Sequence, residues 1–142
     1  MKYLLIISIF VLVACTAPIS KESIRTNPAY ATTFSVNQPY QQVFDKLLKN
    51  TRTCYLDKPT KVQLTLEGNR DNAKKTANIT MEYVYAMAEH DVILMLDMTS
   101  EENGITRVNV YASRKGDKPK ADIVEKWLSE PISDQENKLD CA

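Results

Sequence analysis

The sequence predicts a two-layer α+β domain, an antiparallel sheet of about four to five strands with two helices on one face, in the order β-α-β-β-β-β-α. Three observations carry this. Several segments alternate apolar and polar residues at period two, and two others carry an apolar stripe at helical spacing. The links between the period-two segments are too short for a parallel crossover, so consecutive strands must run antiparallel. Composition agrees: of 142 residues, 44% are hydrophobic and 25% charged, with 18 Lys+Arg against 18 Asp+Glu. That balance argues against a nucleic-acid binder working through a basic surface. Three Gly and six Pro are too few for a low-complexity chain.

The folded part is expected to span residues 30–142 as a single domain. Ala31 to Val36 suits a strand. Asn37-Gln38-Pro39 reads as a helix entry, with Asn37 as N-cap and the proline in the first turn. Tyr40, Val43, Phe44, Leu47 and Leu48 then recur on one helical face, opposite Gln41, Asp45, Lys46 and Lys49, and the helix should end near Arg52, just before Cys54. Val62, Leu64 and Leu66 alternate with Gln63, Thr65 and Glu67 in a half-buried strand, and Gly68 to Asn72 reads as a turn. Ala77, Ile79, Met81 and Tyr83 define the next strand, which Glu89-His90-Asp91 would end in a turn. Val92 to Leu96 is continuously apolar, as in a central strand covered on both faces. Asn103-Gly104 is a hairpin cue before Val108, Val110 and Ala112. Asp117 would cap a last helix carrying Ala121, Ile123, Val124, Trp127 and Leu128, stopped by Pro131.

Ahead of this domain, Met1-Lys2-Tyr3 and the apolar run Leu4 to Ala14 have the form of a secretion signal, since the run falls well short of the roughly 20 apolar residues of a stable span. Leu12-Val13-Ala14-Cys15 resembles the lipobox of bacterial lipoproteins. The resemblance implies a signal peptide 1–14 cleaved before Cys15, whose thiol carries a diacylglyceryl group and whose new amine is acylated. By the same resemblance, Thr16, which is not Asp, implies the periplasmic face of the outer membrane. Residues 15–29 then read as a lipidated N-terminus and flexible tether, about 13 residues reaching on the order of 45 Å when extended. The mature chain keeps 17 basic and 18 acidic residues, so the domain has no charge of its own to hold anionic lipid.

With Cys15 assigned to lipid, Cys54 and Cys141 remain, and in an oxidising compartment the simplest expectation is one structural disulfide. Two free thiols or a redox pair are the competing readings, though no Cys-x-x-Cys occurs. A loop of that size is worth about 4 to 5 kcal/mol in the chain-entropy description.

Catalytic constellations are scarce. His90 is the single histidine, which excludes a multi-histidine zinc site. No Gly-x-Ser-x-Gly elbow, phosphate-binding glycine loop or His-Glu-x-x-His occurs, and no cofactor motif is found. Asp97, Glu101 and Glu102 offer oxygen ligands, but without EF-hand spacing they read as a solvated hairpin end. Arg114, Lys115, Lys118 and Lys120 form a local basic stretch, a solvated loop or a contact for an anionic envelope component. Tyr85 and Tyr111 are read as outward-facing, so Tyr85, Tyr111, Arg114 and Lys115 make the candidate partner surface.

The expectation is therefore a non-enzymatic envelope lipoprotein, membrane-attached through Cys15, whose domain binds a protein or cell-wall partner, with no nucleic acid, metal or cofactor. Small periplasmic lipoproteins are the group it resembles, and its architecture is similar to the helix-grip domains of the lipoprotein in the outer-membrane β-barrel assembly complex. A periplasmic inhibitor or immunity protein, or an envelope hydrolase using carboxylates, are the alternatives.

Overall fold

A computed structural model describes residues 17–57, 62–85, 89–129 and 139–141. The signal segment 1–14, Cys15 and Pro131 lie outside the described residues. The elements are α1 (Lys21–Thr26), β1 (Tyr30–Val36), α2 (Tyr40–Tyr55), β2 (Gln63–Asp71), β3 (Thr76–Val84), β4 (His90–Ser100), β5 (Thr106–Ala112) and α3 (Lys118–Ser129). The five strands form one antiparallel sheet in the order β1-β5-β4-β3-β2, and α2 and α3 cover one face, so the predicted fold class holds.

The covered face follows from strand periodicity. Phe34 on β1, Leu64 and Leu66 on β2, Ile79 and Met81 on β3, and Val108 and Val110 on β5 all reach the core under Val43, Phe44 and Leu47 of α2 and Val124, Trp127 and Leu128 of α3. Helix α2 begins one residue after Pro39, which is its N-cap without a side-chain bond, so the expected Asn37 cap is corrected. It also runs on through Tyr55, because Thr51, Cys54 and Tyr55 continue the buried stripe beyond Arg52. Thr51 tolerates full burial by donating its hydroxyl to the Leu47 carbonyl at 2.8 Å.

Gly68 is not in a turn. Strand β2 continues to Asp71, and the turn falls after it, with Lys75 at φ 52°. The glycine marks a close approach instead: a Cβ at this position would meet Phe44 Cζ at 3.0 Å and Leu48 Cδ1 at 3.1 Å, so its bare backbone lets α2 settle on β2. Likewise His90 opens β4 rather than turning the chain. Asn103 (φ 60°) and Gly104 (φ 75°) do form the tight connection from β4 to β5, where both residues need positive φ.

Strand β4 is central and covered on both faces. Between the pairs Met81–Leu94 and Glu82–Val92 the register shifts, leaving Ile93 as one extra residue. Ile93 and Leu94 therefore both belong to the core under α2 and α3, and Val92 and Met95 both belong to a second cluster on the opposite face. The residue that fills that second cluster is Ile24 of α1.

This corrects the expected tether. Ser20 accepts from the Ser23 amide and caps α1, Glu22 sits favourably in its first turn, and Ile24 is 1% exposed. Burying an isoleucine of this kind contributes about 1.5–3 kcal/mol, enough to hold a one-and-a-half-turn helix that could not form alone. The chain from Ile19 onward is thus packed on the outer sheet face.

The disulfide is present, joining Cys54 at the end of α2 to Cys141. Beside it the Trp127 indole N–H donates to the Asp140 carbonyl at 2.8 Å, Lys126 pairs with the Asp140 carboxylate, and Leu139 packs on the core. The C-terminal segment is thereby fastened to both α2 and α3.

Two stability measurements test this packing. Gly68→Val is expected to lower unfolding stability by about 1–3 kcal/mol through overpacking against Phe44 and Leu48, read from denaturant midpoints at unchanged slope. Replacing both Cys54 and Cys141 by Ser is expected to cost about 2–4 kcal/mol, with no change in mobility on reduction, whereas the native protein shifts.

Candidate functional site

The candidate surface lies at the sheet end where β3 finishes, β4 starts and β5 finishes. Asp91, in the second position of β4, is its hub. One carboxylate oxygen accepts the Ile19 backbone N–H at 2.9 Å, and the other accepts Arg114 Nη2 at 2.8 Å and the Tyr85 hydroxyl at 3.3 Å. The Ile19 carbonyl in turn accepts the Val92 N–H at 3.0 Å. The N-terminal segment is therefore latched to β4 from both sides of one residue.

Arg114 leaves β5 just beyond its last residue and lies over the Tyr83 ring, its guanidinium carbon 5.7 Å from the centroid. Tyr83 and Tyr85 are themselves 6.4 Å apart and tilted. Tyr85, then Asp91, strengthens the positive form of Arg114, whose pKa is raised further above its already high value. Tyr85 remains 42% exposed. Lys115, next in sequence to Arg114 and first in the 3-10 turn Lys115–Asp117, is exposed.

Tyr111 does not join this group. On the outer face of β5 it packs against the Ile24 cluster, and burial, then the nearby Asp97 charge, pushes its phenol pKa up. The sheet pleat explains the miss: Tyr111 alternates outward, as expected, but α1 occupies the space above it. The structure thus brings together Tyr85, Arg114 and Lys115, and adds Asp91 and Ile19, which pattern reading passed over. The one signal for them was Ser20-Lys21-Glu22, a cap followed by an acid, within a stretch that otherwise looked unstructured.

No protein-family model and no curated protein sequence matches the chain. What the surface can do must be argued from its own chemistry. The basic stretch is largely neutralised from within: Lys118 pairs with Asp122 at 2.6 Å and lies 4.8 Å from the Tyr30 ring centroid, and Lys120 pairs with the buried Asp117 at 2.8 Å. The acidic trio is dispersed as well. Asp97 takes a two-pronged contact from Arg25 at 2.7 and 2.9 Å, Glu101 pairs with Arg107, and Glu102 lies in the 3-10 turn Glu102–Gly104. Among the described residues no group of three or more His, Cys, Asp or Glu could hold a metal ion. His90 contacts Glu82 at 2.8 Å between neighbouring strands.

At the opposite end an open depression of ≈ 280 Å³ is lined by Pro39, Tyr40, Gln41, Asn72, Lys75, Ser100 and Gly104. Its lining holds no carboxylate, histidine or cysteine. The Tyr40 hydroxyl donates to Asn72 at 2.8 Å, and Ser100 Oγ is directed to the Glu101 carbonyl.

The latch can be opened selectively. Lys21 and then Asn69 hold the Glu67 carboxyl below its ordinary value of 4.5. Its stabilisation of the docked segment is therefore complete above that value and is lost as pH falls through the lower folded one. Because this pair is exposed and contributes little, Ile24 methyl resonances are expected to move only slightly toward undocked positions on acidification through that range. Asp91→Ala, which removes a charge-assisted bond worth about 1.5–3 kcal/mol, is expected to speed trypsin cleavage at Lys21 and Arg25 about tenfold or more, with little change in the global unfolding midpoint.

Proposed function

We propose that the protein is a bacterial envelope lipoprotein, held at the outer membrane by acylated Cys15 with its domain in the periplasm, and that it acts by binding a protein or cell-wall partner rather than by catalysis. The observation that carries this reading is the lipobox-like Leu12-Val13-Ala14-Cys15 at the end of a short apolar run. The Cys54–Cys141 disulfide supports it, because such bonds persist in oxidising compartments. Among the described residues no helix is long and apolar enough to cross a membrane. Each buried methylene of an acyl chain adds about 0.8 kcal/mol to membrane affinity.

The binding role is supported by the exposed ends of Tyr85, Arg114 and Lys115, which offer a rigid aromatic and two cations on a firmly supported rim. Cys15→Ser is expected to release the chain to the soluble periplasm or to block its processing. A cleaved variant that stays fully membrane-bound overturns the anchor. Photo-crosslinking from Lys115 in the intact envelope is expected to yield one dominant adduct, and its absence there and at other exposed positions overturns the binding role.

A further inference from the structure

We propose that the docked N-terminal segment seats the domain directly on the bilayer, with the sheet end bearing Val62, Tyr85, Arg114 and Lys115 against zwitterionic phospholipid headgroups. This rests on the acylation of Cys15 in the reading above. Ile19 is fixed by its backbone N–H donating to the Asp91 carboxylate and its carbonyl accepting from the Val92 N–H. Cys15 precedes it by four residues, so the anchor lies at most about 14 Å from that point, where a free tether would have allowed some three times as much. The 11-residue β4 spans on the order of 35 Å, which places the Glu102–Gly104 connection well outside that reach.

The side chains at the near end suit the contact. Gln63 pairs with Val84, so Val62 and Tyr85 stand side by side at this end. They are the two large apolar side chains most exposed among the described residues, at 45% and 42%. A tyrosine ring fits the boundary between headgroups and acyl chains, and the stems of Arg114 and Lys115 can lie along apolar surface with their charges in the headgroup layer. Arg114 is matched by Asp91, and the processed chain as a whole is near neutral, with 17 basic and 18 acidic residues. Contact then arises from the high local concentration that a short leash imposes, not from attraction to anionic lipid.

The test uses the full, processed chain purified from membranes and reconstituted in phosphatidylethanolamine/phosphatidylcholine vesicles containing headgroup spin-labelled lipid. A fluorescent amino acid replaces Lys115 at the near end, Glu22 on α1, or Glu102 at the far end. Quenching is expected to be several-fold stronger at 115 than at 102, and stronger than at 22. Inserting a Gly/Ser linker of about a dozen residues between Thr16 and Ala17 should abolish the difference while membrane retention persists. Equal quenching at all sites, stronger quenching at 22 or 102, or an undiminished difference with the linker overturns the seating. The mass of the N-terminal peptide separates the two readings: an unmodified Cys15 overturns the anchor and the seating with it, whereas an acylated Cys15 with uniform quenching overturns the seating alone.

Discussion

The two-sided burial of β4 is the constraint on which the other parts depend. A strand at the centre of a sheet normally sends alternate residues to opposite faces, which would place Val92 with Leu94 and Leu96. The extra residue at Ile93 breaks that alternation. Both Ile93 and Leu94 then feed the core beneath α2 and α3, and Val92 turns to the other face to join Met95. With that change of side, the β4 residues that Ile24 meets are Val92 and Met95, where regular alternation would have offered Ile93 and Met95. The Val92 N–H is taken by the Ile19 carbonyl, so the start of β4 supplies both the apolar seat and the polar latch for the N-terminal segment.

The two ends of the described chain are fastened by different physics. The C-terminal segment is held covalently to α2 through Cys54–Cys141 and by hydrogen bonding to Trp127, so releasing it requires reduction. The N-terminal segment is held by one buried isoleucine, two backbone bonds at Ile19 and exposed ion pairs from Lys21 and Arg25. Exposed pairs contribute little each, so Ile24 and Asp91 carry most of the docking. The C-terminal attachment therefore belongs to the global fold, while the N-terminal one can open locally at a fraction of that free energy.

What the sequence discloses divides along the same line. Strand and helix periodicity exposed β2, β3, β5, α2 and α3, because each turns one face toward the core and so repeats its signal over seven or more residues. The continuous run Val92 to Leu96 correctly signalled a strand covered on both sides. What would cover its second face stayed hidden, since α1 contributes a single buried residue and a single residue has no period. Gly68 was misread for a related reason: a glycine followed by Asn, Arg, Asp and Asn looks like a turn, and only the position of Phe44 above it reveals a need for space. The pairing of Cys54 with Cys141 was legible as the simplest expectation once the lipobox resemblance set Cys15 aside and implied an oxidising compartment. Of the candidate surface, Tyr85, Arg114 and Lys115 were legible as exposed types, whereas Asp91, the group that organises them, looked like one more polar residue in a loop.

Asp91 also shows why net neutrality is more than a bulk property here. The carboxylate that fixes Ile19 is the one that fixes Arg114, so the orientation of the N-terminal segment and the exposed cation at the sheet end are set by one group. Arg25 on Asp97, Lys120 on Asp117 and Arg107 on Glu101 repeat the pattern, each cation spent on an acid of the same domain. A surface balanced in this local fashion has little long-range field with which to draw a partner or a membrane from a distance. Contacts made by such a domain must come from shape, apolar side chains such as Tyr85 and Val62, and proximity. Under the proposed acylation of Cys15, proximity is what the latched, short connection would supply, and a free tether of the same residues would dilute it.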